Sequence, residues 1–184
     1  MRKNLGIKTF IYPQPVLIIG TYDEKFNANA MNAAWGCIAD YDKVIVCLAK
    51  HKSTDNILLN KDFTISIGEA KQVKACDYVG IISQNEEPNK MLKSGFTTSK
   101  AEFVNAPIIN ELSLCLECRL IKILEGDLYL AKIINVNADE SILDENNHIS
   151  LEKFIPISYD PSTHGYYKVE GRIGNAFKDG KELI

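Results

Sequence analysis

The feature that most constrains the fold is a long hairpin in the second half of the chain. Leu112 to Leu124 and Leu128 to Val136 are both extended, largely apolar segments. The three residues between them, Glu125, Gly126 and Asp127, are turn formers that suit a tight antiparallel connection. We therefore predict two long antiparallel strands here.

The rest of the sequence predicts four further strands and a few short helices. Runs rich in β-branched and apolar residues predict four more strands: Pro15–Thr21, Phe26–Trp35, Val44–Ala49 and Phe63–Ile67. Short helices are predicted at Asp55–Asn60, where Ser53 and Thr54 precede the helix and cap it, at Gln72–Ile82, and around Lys90–Lys93. The C-terminal part, with its prolines and glycines, predicts loops and short extended pieces that wrap the core or a partner.

Many strands with few short helices favour a mainly β fold with short α insertions, built as a closed or partly closed antiparallel barrel. A parallel nucleotide-binding sheet does not fit, because neither a Gly-x-Gly-x-x-Gly turn nor a Gly-x-x-x-x-Gly-Lys-Ser/Thr loop occurs. We expect residues 1–184 to form one domain.

Composition excludes several classes of partner. The net charge is −3, and the basic residues are spread along the chain, so a nucleic-acid partner is not expected. No segment has the roughly 20 consecutive apolar residues needed to span a bilayer. Because the five cysteines are odd in number and sparse, they are expected to be reduced thiols. We expect a protein of the cytoplasm that binds neither nucleic acid nor membrane.

A stretch of small and amide side chains, Asn27 to Gly36, is the first candidate ligand site. Alanines interleaved with asparagines leave the backbone open to the close approach of a flat ligand, and the amides offer both donors and acceptors to a ring edge. Taken alone, such a stretch is more often a turn with packed small residues.

The second candidate is Lys50-His51-Lys52-Ser53-Thr54-Asp55-Asn56, between a predicted strand and a predicted helix. Two hydroxyls and the free N–H groups of a helix N-terminus suit a phosphate group, and the lysines add positive charge. A helix cap with solvated lysines is an equally good interpretation of this segment in isolation.

Taken together, these segments resemble a known family. The Asn/Ala/Met stretch ending in Ala34-Trp35-Gly36, the strand ending in His51-Lys52-Ser53-Thr54 with Asn56, and Cys76-Asp77-Tyr78-Val79-Gly80 with Ser83 follow one another as in the flavin reductase-like, FMN-binding split barrels. The flavoredoxin type is the most similar. Lys90 to Gly95, Ala106 to Ile109 and Leu116 to Cys118 extend the resemblance, which runs from about Pro15 to Tyr167.

This resemblance implies a six-stranded antiparallel split barrel, a homodimer, and one FMN per subunit in a cleft near the dimer interface. The residues it assigns to the flavin ring are Asn29, Ala30, Met31, Asn32, Ala33 and Trp35. Those it assigns to the phosphate are His51, Lys52, Ser53, Thr54 and Asn56. Ser83 and Lys90 complete the site, and His164, Tyr166 and Tyr167 are candidates for the C-terminal end of the pocket.

The implied activity is that of a flavin-dependent oxidoreductase or a flavoredoxin-type electron carrier. NAD(P)H or a redox partner protein would be the electron donor. Because a flavin carries its own redox chemistry, no catalytic acid–base pair or nucleophile is required. Two alternatives stay open: a non-catalytic protein that stores or senses flavin, and a pyridoxamine phosphate oxidase-like enzyme on the related barrel.

The segment Cys115-Leu116-Glu117-Cys118 has the spacing of some zinc and redox sites. On a strand, residues three apart point to opposite faces, so the two sulfurs could not readily share one metal. We therefore expect no metal and assign both cysteines a structural role.

Overall fold

The computed structural model describes residues 1–184 and is built mainly from short antiparallel strands. The strands are β1 (Gln14–Pro15), β2 (Leu17–Tyr22), β3 (Ala28–Ala33), β4 (Gly36–Asp40), β5 (Lys43–Cys47), β6 (Asp62–Ile67), β7 (Thr98–Lys100), β8 (Pro107–Ile109), β9 (Leu114–Leu124), β10 (Leu128–Ala138), β11 (Ile157–Asp160) and β12 (Gly165–Lys168). The α-helices are α1 (Lys52–Asn60), α2 (Val73–Ile81) and α3 (Lys90–Ser94). Three short 3₁₀ helices lie at Ala70–Gln72, Glu140–Ile142 and Asp179–Leu183. The longest helices, α1 and α2, have nine residues each, and none of the helices combines the length and the hydropathy of a membrane span.

The main sheet has seven antiparallel strands in the order β3-β2-β6-β9-β10-β5-β4. Neighbouring strands lie about 4.8 Å apart, so a flat sheet of this order would separate its two edges by about 29 Å. Yet the edge strands β3 and β4 are joined by only Ala34 and Trp35, a connection that reaches at most about 11 Å. The sheet must therefore curl until its edges meet, which is the partly closed barrel that the sequence predicts.

The sheet has seven strands, whereas six were predicted for the barrel, and the difference comes from β3 and β4. They follow one another with a two-residue break and serve opposite edges of the sheet. Counted as two halves of one bent strand, they leave six strands in the barrel. The break falls beside Gly36, where a Cβ atom would lie 2.8 Å from Leu17 Cδ1, so the chain passes close to β2 at the point where the barrel closes.

Two apolar clusters hold the fold together. The first contains 13 buried residues from α1 and from strands along the whole width of the sheet, and it fills the barrel. The second contains 9 buried residues and packs the outer face of β2 and β3 against α2, α3 and β11. Leu17 and Ile19 point into the first cluster and Val16 and Ile18 into the second, so β2 is buried on both faces. This explains its continuous apolar run.

The predicted hairpin is confirmed. β9 and β10 pair over almost their whole length, and the turn uses a positive φ at Gly126 (+80°) and Asp127 (+57°). Glycine adopts this backbone conformation freely and aspartate tolerates it. The predicted helices at Gln72–Ile82 and Lys90–Lys93 are confirmed as well, as α2 and α3.

Other elements differ from the prediction. Helix α1 begins at Lys52 rather than Asp55, with His51 as its N-cap, so Ser53 and Thr54 lie in the first turn rather than ahead of it. Strands β4, β7 and β8 were not predicted, and the C-terminal part forms a small sheet of β1, β11 and β12. β7 and β8 are only three residues long, and β1 is only two residues long and pairs with the distant β11, so local pattern carries little signal for them. β4 is mostly exposed and therefore lacks the apolar run by which a buried strand is recognised.

Both cysteines of the Cys-x-x-Cys segment are buried in β9. Cys118 is opposite Phe63 of β6 and Cys115 opposite Ser66, in an unbroken register, so the two side chains lie on opposite faces of the strand. Burial raises the pKa of Cys115 to about 11 and raises that of Cys118 as well. Both thiols therefore stay protonated and form part of the packing.

Candidate functional site

A groove runs between β3 and the segment that begins with α2. It consists of three hollows that share residues with one another. The central hollow has a volume of about 240 Å³. It shares Asn32, Gly80 and Ile81 with an aromatic hollow of about 440 Å³ on one side. On the other side it shares Lys52 and Gln84 with a distal hollow of about 500 Å³.

The central hollow brings together residues from both segments that the sequence singles out. β3 contributes its amide-rich wall, the start of α1 contributes hydroxyl and basic groups, and α3 contributes a lysine. The predicted residues that line it are Asn29, Met31, Asn32, His51, Lys52, Ser53, Ser83 and Lys90.

Lys90 is the most unusual group in this hollow. The first residue of α3, it is 3% exposed although it lines the cavity. The neighbouring lysines pair with the nearby carboxylates, Lys52 with Glu24 at 3.7 Å and Lys93 with Glu87, and Lys90 itself forms no ion pair. Desolvation lowers the pKa of Lys90 to about 8. A buried ammonium without a counter-ion is costly, so its position favours an anionic ligand.

The N-terminus of α1 lies at the same hollow. The backbone N–H of His51 donates to Thr54 Oγ1 at 2.8 Å, and Thr54 Oγ1 donates to the His51 carbonyl at 2.7 Å. Thr54 thus fixes the start of the helix while Lys52 and Ser53 line the cavity. The positive end of the helix dipole adds to the charge of Lys90 and Lys52.

Two buried amide oxygens beside the hollow have no hydrogen-bond partner. Asn29 Nδ2 donates to Ser53 Oγ at 2.8 Å, but Asn29 Oδ1 accepts nothing. Gln84 Nε2 donates to the Ala28 carbonyl at 3.0 Å, and Gln84 Oε1 is likewise unpartnered. Buried polar atoms are normally satisfied. Two free acceptors next to an unpaired cation fit a ligand that carries both hydroxyl groups and a phosphate.

The aromatic hollow contains a second set of polar contacts. Tyr166 Oη donates to Asp77 Oδ1 at 2.8 Å, and Asn32 Nδ2 donates to the Cys76 carbonyl at 3.0 Å. Desolvation, together with the hydrogen bond to Asp77, raises the pKa of Tyr166. His164 lies here too, with its Nδ1 2.6 Å from Tyr159 Oη. The C-terminal candidates His164 and Tyr166 therefore lie in the same groove as Asn32.

Several predicted site residues lie outside the groove lining. Ala30 and Ala33 are buried in the two apolar clusters, on opposite faces of β3. Asn56 is buried and donates to Thr21 Oγ1 at 3.0 Å. Trp35 is 51% exposed and lines a separate apolar hollow of about 600 Å³ beside the N-terminal segment. Tyr167, on β12, is 58% exposed and lies on the far side of the small sheet.

Of the groove residues that were not assigned to the site from sequence, Gln84 and Gly80 bear most directly on its shape and polarity. Gln84 sits in a polar loop and gives no local signal. Gly80 gives one, because a glycine inside a predicted helix often marks a close approach. A Cβ atom at Gly80 would lie 2.9 Å from Asn32 Cβ, so the absent side chain lets α2 approach β3 and sets the width of the groove.

The fold is thus a curled antiparallel barrel with a groove along β3 that is lined by lysines and the N-terminus of α1. The model of the flavin reductase like domain matches residues 9–165. The chain therefore belongs to the flavin reductase-like family of split-barrel flavin proteins, as the sequence resemblance indicates.

Solved structures agree with this assignment. The flavoredoxin of Desulfovibrio vulgaris (Miyazaki F) is 33% identical, with a TM-score of 0.94 over 98% of this chain and 100% of its own. The flavoredoxin from Methanosarcina acetivorans is 27% identical, with a TM-score of 0.88 over 100% of both chains. The FMN-binding domain of a flavin reductases-like enzyme from Shewanella baltica OS155, at 23% identity and a TM-score of 0.79 over 89% of this chain and 90% of its own, shares the fold.

Two curated relatives match over only part of their own length. An uncharacterized protein of Aquifex aeolicus is 28% identical over 108 residues, 55% of this chain and 53% of the relative. An uncharacterized protein of Aeropyrum pernix is 23% identical over 160 residues, 84% of this chain and 60% of the relative. The chain thus spans between half and two thirds of the length of these relatives.

Proposed function

We propose that this protein binds FMN in the groove along β3 and acts as a flavin-dependent oxidoreductase or a flavoredoxin-type electron carrier. The observation that carries the proposal is Lys90, a buried and unpaired ammonium in a hollow that also contains the N-terminus of α1. The likeness to two flavoredoxins over the whole chain supports the redox role.

The residues of the central hollow divide naturally between the parts of such a ligand. Lys90, Lys52 and Ser53 would hold the phosphate, with the helix dipole of α1 contributing at the same point. The unpartnered oxygens of Asn29 and Gln84 would accept hydrogen bonds from the ribityl hydroxyls. The contacts of Lys90, Asn29 Oδ1 and Gln84 Oε1 would satisfy groups that the fold leaves buried and unpaired.

The ring system would then extend toward the aromatic hollow. Asn32 lies where the two hollows join, and its amide is held in place by the Cys76 carbonyl. Gly80 and Ala34 leave the walls free of bulk on either side of Asn32. Trp35, which follows Ala34, would contact the ring if it turns from the neighbouring apolar hollow.

FMN would supply the hydride and single-electron chemistry, so the protein need only bind, orient and tune the environment of the ring. The hydrogen bond from Tyr166 to Asp77 holds a proton on the phenol beside the groove. A neutral phenol and a carboxylate would then lie beside the ring.

The partners and location expected from the sequence belong to the same proposal. A second copy of the chain would cover the apolar hollow beside Trp35, whose rim includes Phe10, Pro13 and Ile45. The donor would be NAD(P)H or a redox protein that reaches the ring through the aromatic hollow. We place the protein in the cytoplasm.

The test is a titration of the flavin-free protein with FMN, in which the quenching of the flavin fluorescence measures binding. Saturable binding with one FMN per chain is expected. Anaerobic addition of NADH, NADPH or a reductase to the loaded protein should then bleach the absorbance of the oxidised flavin. Failure to bind FMN would overturn the proposal, whereas binding without reduction by any donor would favour flavin storage or sensing.

A further inference from the structure

We infer that residues 169–184, which follow β12 and which we call the arm, fill the apolar hollow beside Trp35 in a second copy of the chain. The inference rests on the homodimer of the proposed function and names the segment by which each copy holds the other. It joins two features that the fold leaves uncovered, an apolar arm and an apolar hollow.

The arm extends away from the body of its own chain. The backbone N–H of Val169 donates to the Pro156 carbonyl at 2.9 Å. From Arg172 onward, every hydrogen bond of the arm joins two arm residues. Asp179, for example, accepts from the backbone and the side chain of Asn175 at 2.8 and 3.2 Å. The arm thus has a conformation of its own without resting on the barrel.

Four large apolar side chains of the arm have no cover. Ile173 and Ile184 are fully exposed, Phe177 is 96% exposed and Leu183 is 91% exposed. All of residues 171–184 are exposed. Single apolar residues are common on protein surfaces, but several of them gathered in one segment mark an interaction site.

The apolar hollow is a cavity that suits such a segment. Its volume is about 600 Å³, and its walls include Phe10, Ile11, Trp35 and Ile45. Ile11 is 78% exposed, so this wall too lacks cover. A cavity of this size holds a drug-sized molecule and therefore has room for more than one side chain. None of residues 169–184 lines it, so the arm of the same chain leaves it open.

One polar atom in the wall of the hollow lacks a hydrogen-bond donor. Gln14 lines the hollow and is 7% exposed, and its Oε1 is buried without a partner. Buried acceptors are normally satisfied. The backbone N–H groups of Arg172 and Ile173 donate to nothing within their own chain. An extended stretch of the arm can therefore supply a donor while its apolar side chains enter the hollow.

The occupant that covers both features at once is a second copy. When each arm enters the hollow of the other copy, the same two surfaces are used twice and the assembly closes at two chains. Any other partner seated in the hollow would leave the arm uncovered. The arm is long enough to cross to another copy, because the extended chain from Val169 to Phe177 spans up to about 27 Å.

The contact also affects the flavin end of the groove. Ala34 lines both the apolar and the aromatic hollow, and Trp35 follows it. An arm in the apolar hollow packs against Trp35 and holds the indole at the end of the groove where the ring is proposed to lie. Trp35 is the only tryptophan in the sequence, so its fluorescence reports on this contact alone.

The experiment uses the flavin-free full-length protein, so that its outcome does not depend on FMN. Sedimentation gives the oligomeric state, and the emission of Trp35 gives the environment of the indole. A thiol reagent measures access to Cys37, which lines the hollow and is the one exposed cysteine. The variant combines Ile173→Glu and Phe177→Glu, at exposed positions outside the core. Leu151→Glu, 50% exposed and outside both surfaces, is the matched control.

The unmodified protein should be a dimer with a blue-shifted Trp35 emission and a slowly reacting Cys37. The double variant should raise the dimer dissociation constant at least about 30-fold and speed the thiol reaction at least about tenfold. Its Trp35 emission should shift to the red. Leu151→Glu should behave as the unmodified protein does.

A dimer that survives in the double variant would overturn the inference alone. Dissociation with unchanged Trp35 emission and Cys37 reactivity would do the same, because the arm would then bind elsewhere. An unmodified protein that is a monomer would overturn the inference together with the proposed homodimer. FMN titration of the same samples keeps the flavin proposal separate, since a protein that fails these tests and still binds FMN leaves that proposal standing.

Discussion

Asn29 Nδ2 donates a hydrogen bond to Ser53 Oγ across 2.8 Å, and both side chains are 1% exposed. This contact joins β3, the wall of the groove, to the first turn of α1, which supplies basic and hydroxyl groups to the candidate site. The two segments that the sequence marks as separate ligand contacts are therefore one structural unit.

The first prediction concerns this contact. Ser53→Ala should lower the free energy of unfolding of the flavin-free protein by about 1–3 kcal/mol, because the Asn29 amide is left buried without an acceptor. Urea denaturation measures the effect. Ser162→Ala, at an exposed position, should change stability by no more than about 0.5 kcal/mol. Equal stability of the two variants would show that Asn29 finds another acceptor.

The sequence predicts those features of the fold that depend on residues close together in the chain, and it does not predict those that depend on tertiary packing. The β9–β10 hairpin is predictable because its turn residues and its apolar strands are contiguous. The burial of Lys90 is not, because a lysine at the start of a short polar helix normally faces solvent. The packing of α3 against α2 and against β3 encloses it, and β3 is distant from α3 in the chain.

The site shows the same division. The sequence pattern identifies Asn29, Asn32, Lys52 and Ser53, which lie in or beside recognisable segments and line the groove. Trp35 belongs to the same segment, yet the strand breaks at Ala34 and Trp35 where the barrel closes, and the indole lines a different hollow. The sequence pattern does not reveal this break, because the break arises from the closure of the whole sheet.

The second prediction concerns the packing of β2. A Cβ atom at Gly20 would lie 2.4 Å from Thr64 Oγ1 and 2.7 Å from the Pro107 carbonyl oxygen. Thr64 cannot move aside easily, because it is buried and its hydroxyl donates to that same carbonyl at 2.6 Å.

Gly20→Ala should therefore destabilise the protein by about 1–3 kcal/mol through overpacking, as measured by thermal or urea unfolding. Gly180→Ala is the matched control, since a Cβ atom there meets nothing within 4 Å and its φ is not positive. That variant should be neutral or slightly stabilised. A Gly20→Ala protein as stable as the unmodified one would mean that β2 and β8 are not packed as described.

The third prediction tests the anion site through its cation. Lys90→Met should weaken FMN binding about 10- to 100-fold, because it removes a charge-assisted contact to the phosphate worth about 1.5–3 kcal/mol. Riboflavin, which lacks the phosphate, should bind the variant and the unmodified protein equally. Lys93→Met, on the same helix but exposed and paired with Glu87, should leave FMN binding unchanged. Parallel losses for FMN and riboflavin would show that Lys90 does not contact the phosphate.

The fourth prediction concerns pH and the same lysine in the flavin-free protein. The pKa of Lys90 is lowered by desolvation from 10.5 to about 8. Below pH 8 the group is protonated in both the folded and the unfolded chain, so the cost of burying the charge is present in full. Between about 8 and 10.5 the unfolded chain keeps a proton that the folded chain has lost, and stability therefore rises with pH.

Lys90→Met removes this charge, so it should be more stable than the unmodified protein near neutral pH. The difference in the free energy of unfolding between the two should narrow as the pH is raised from about 7 to about 10. Taking the difference cancels the titration of all groups that the two proteins share. Bound FMN has the opposite effect, because its phosphate stabilises the charged form of Lys90. FMN affinity should therefore fall as the pH rises above 8 in the unmodified protein, and it should not fall in Lys90→Met. A stability difference that is constant over this range would show that Lys90 keeps an ordinary pKa and reaches solvent.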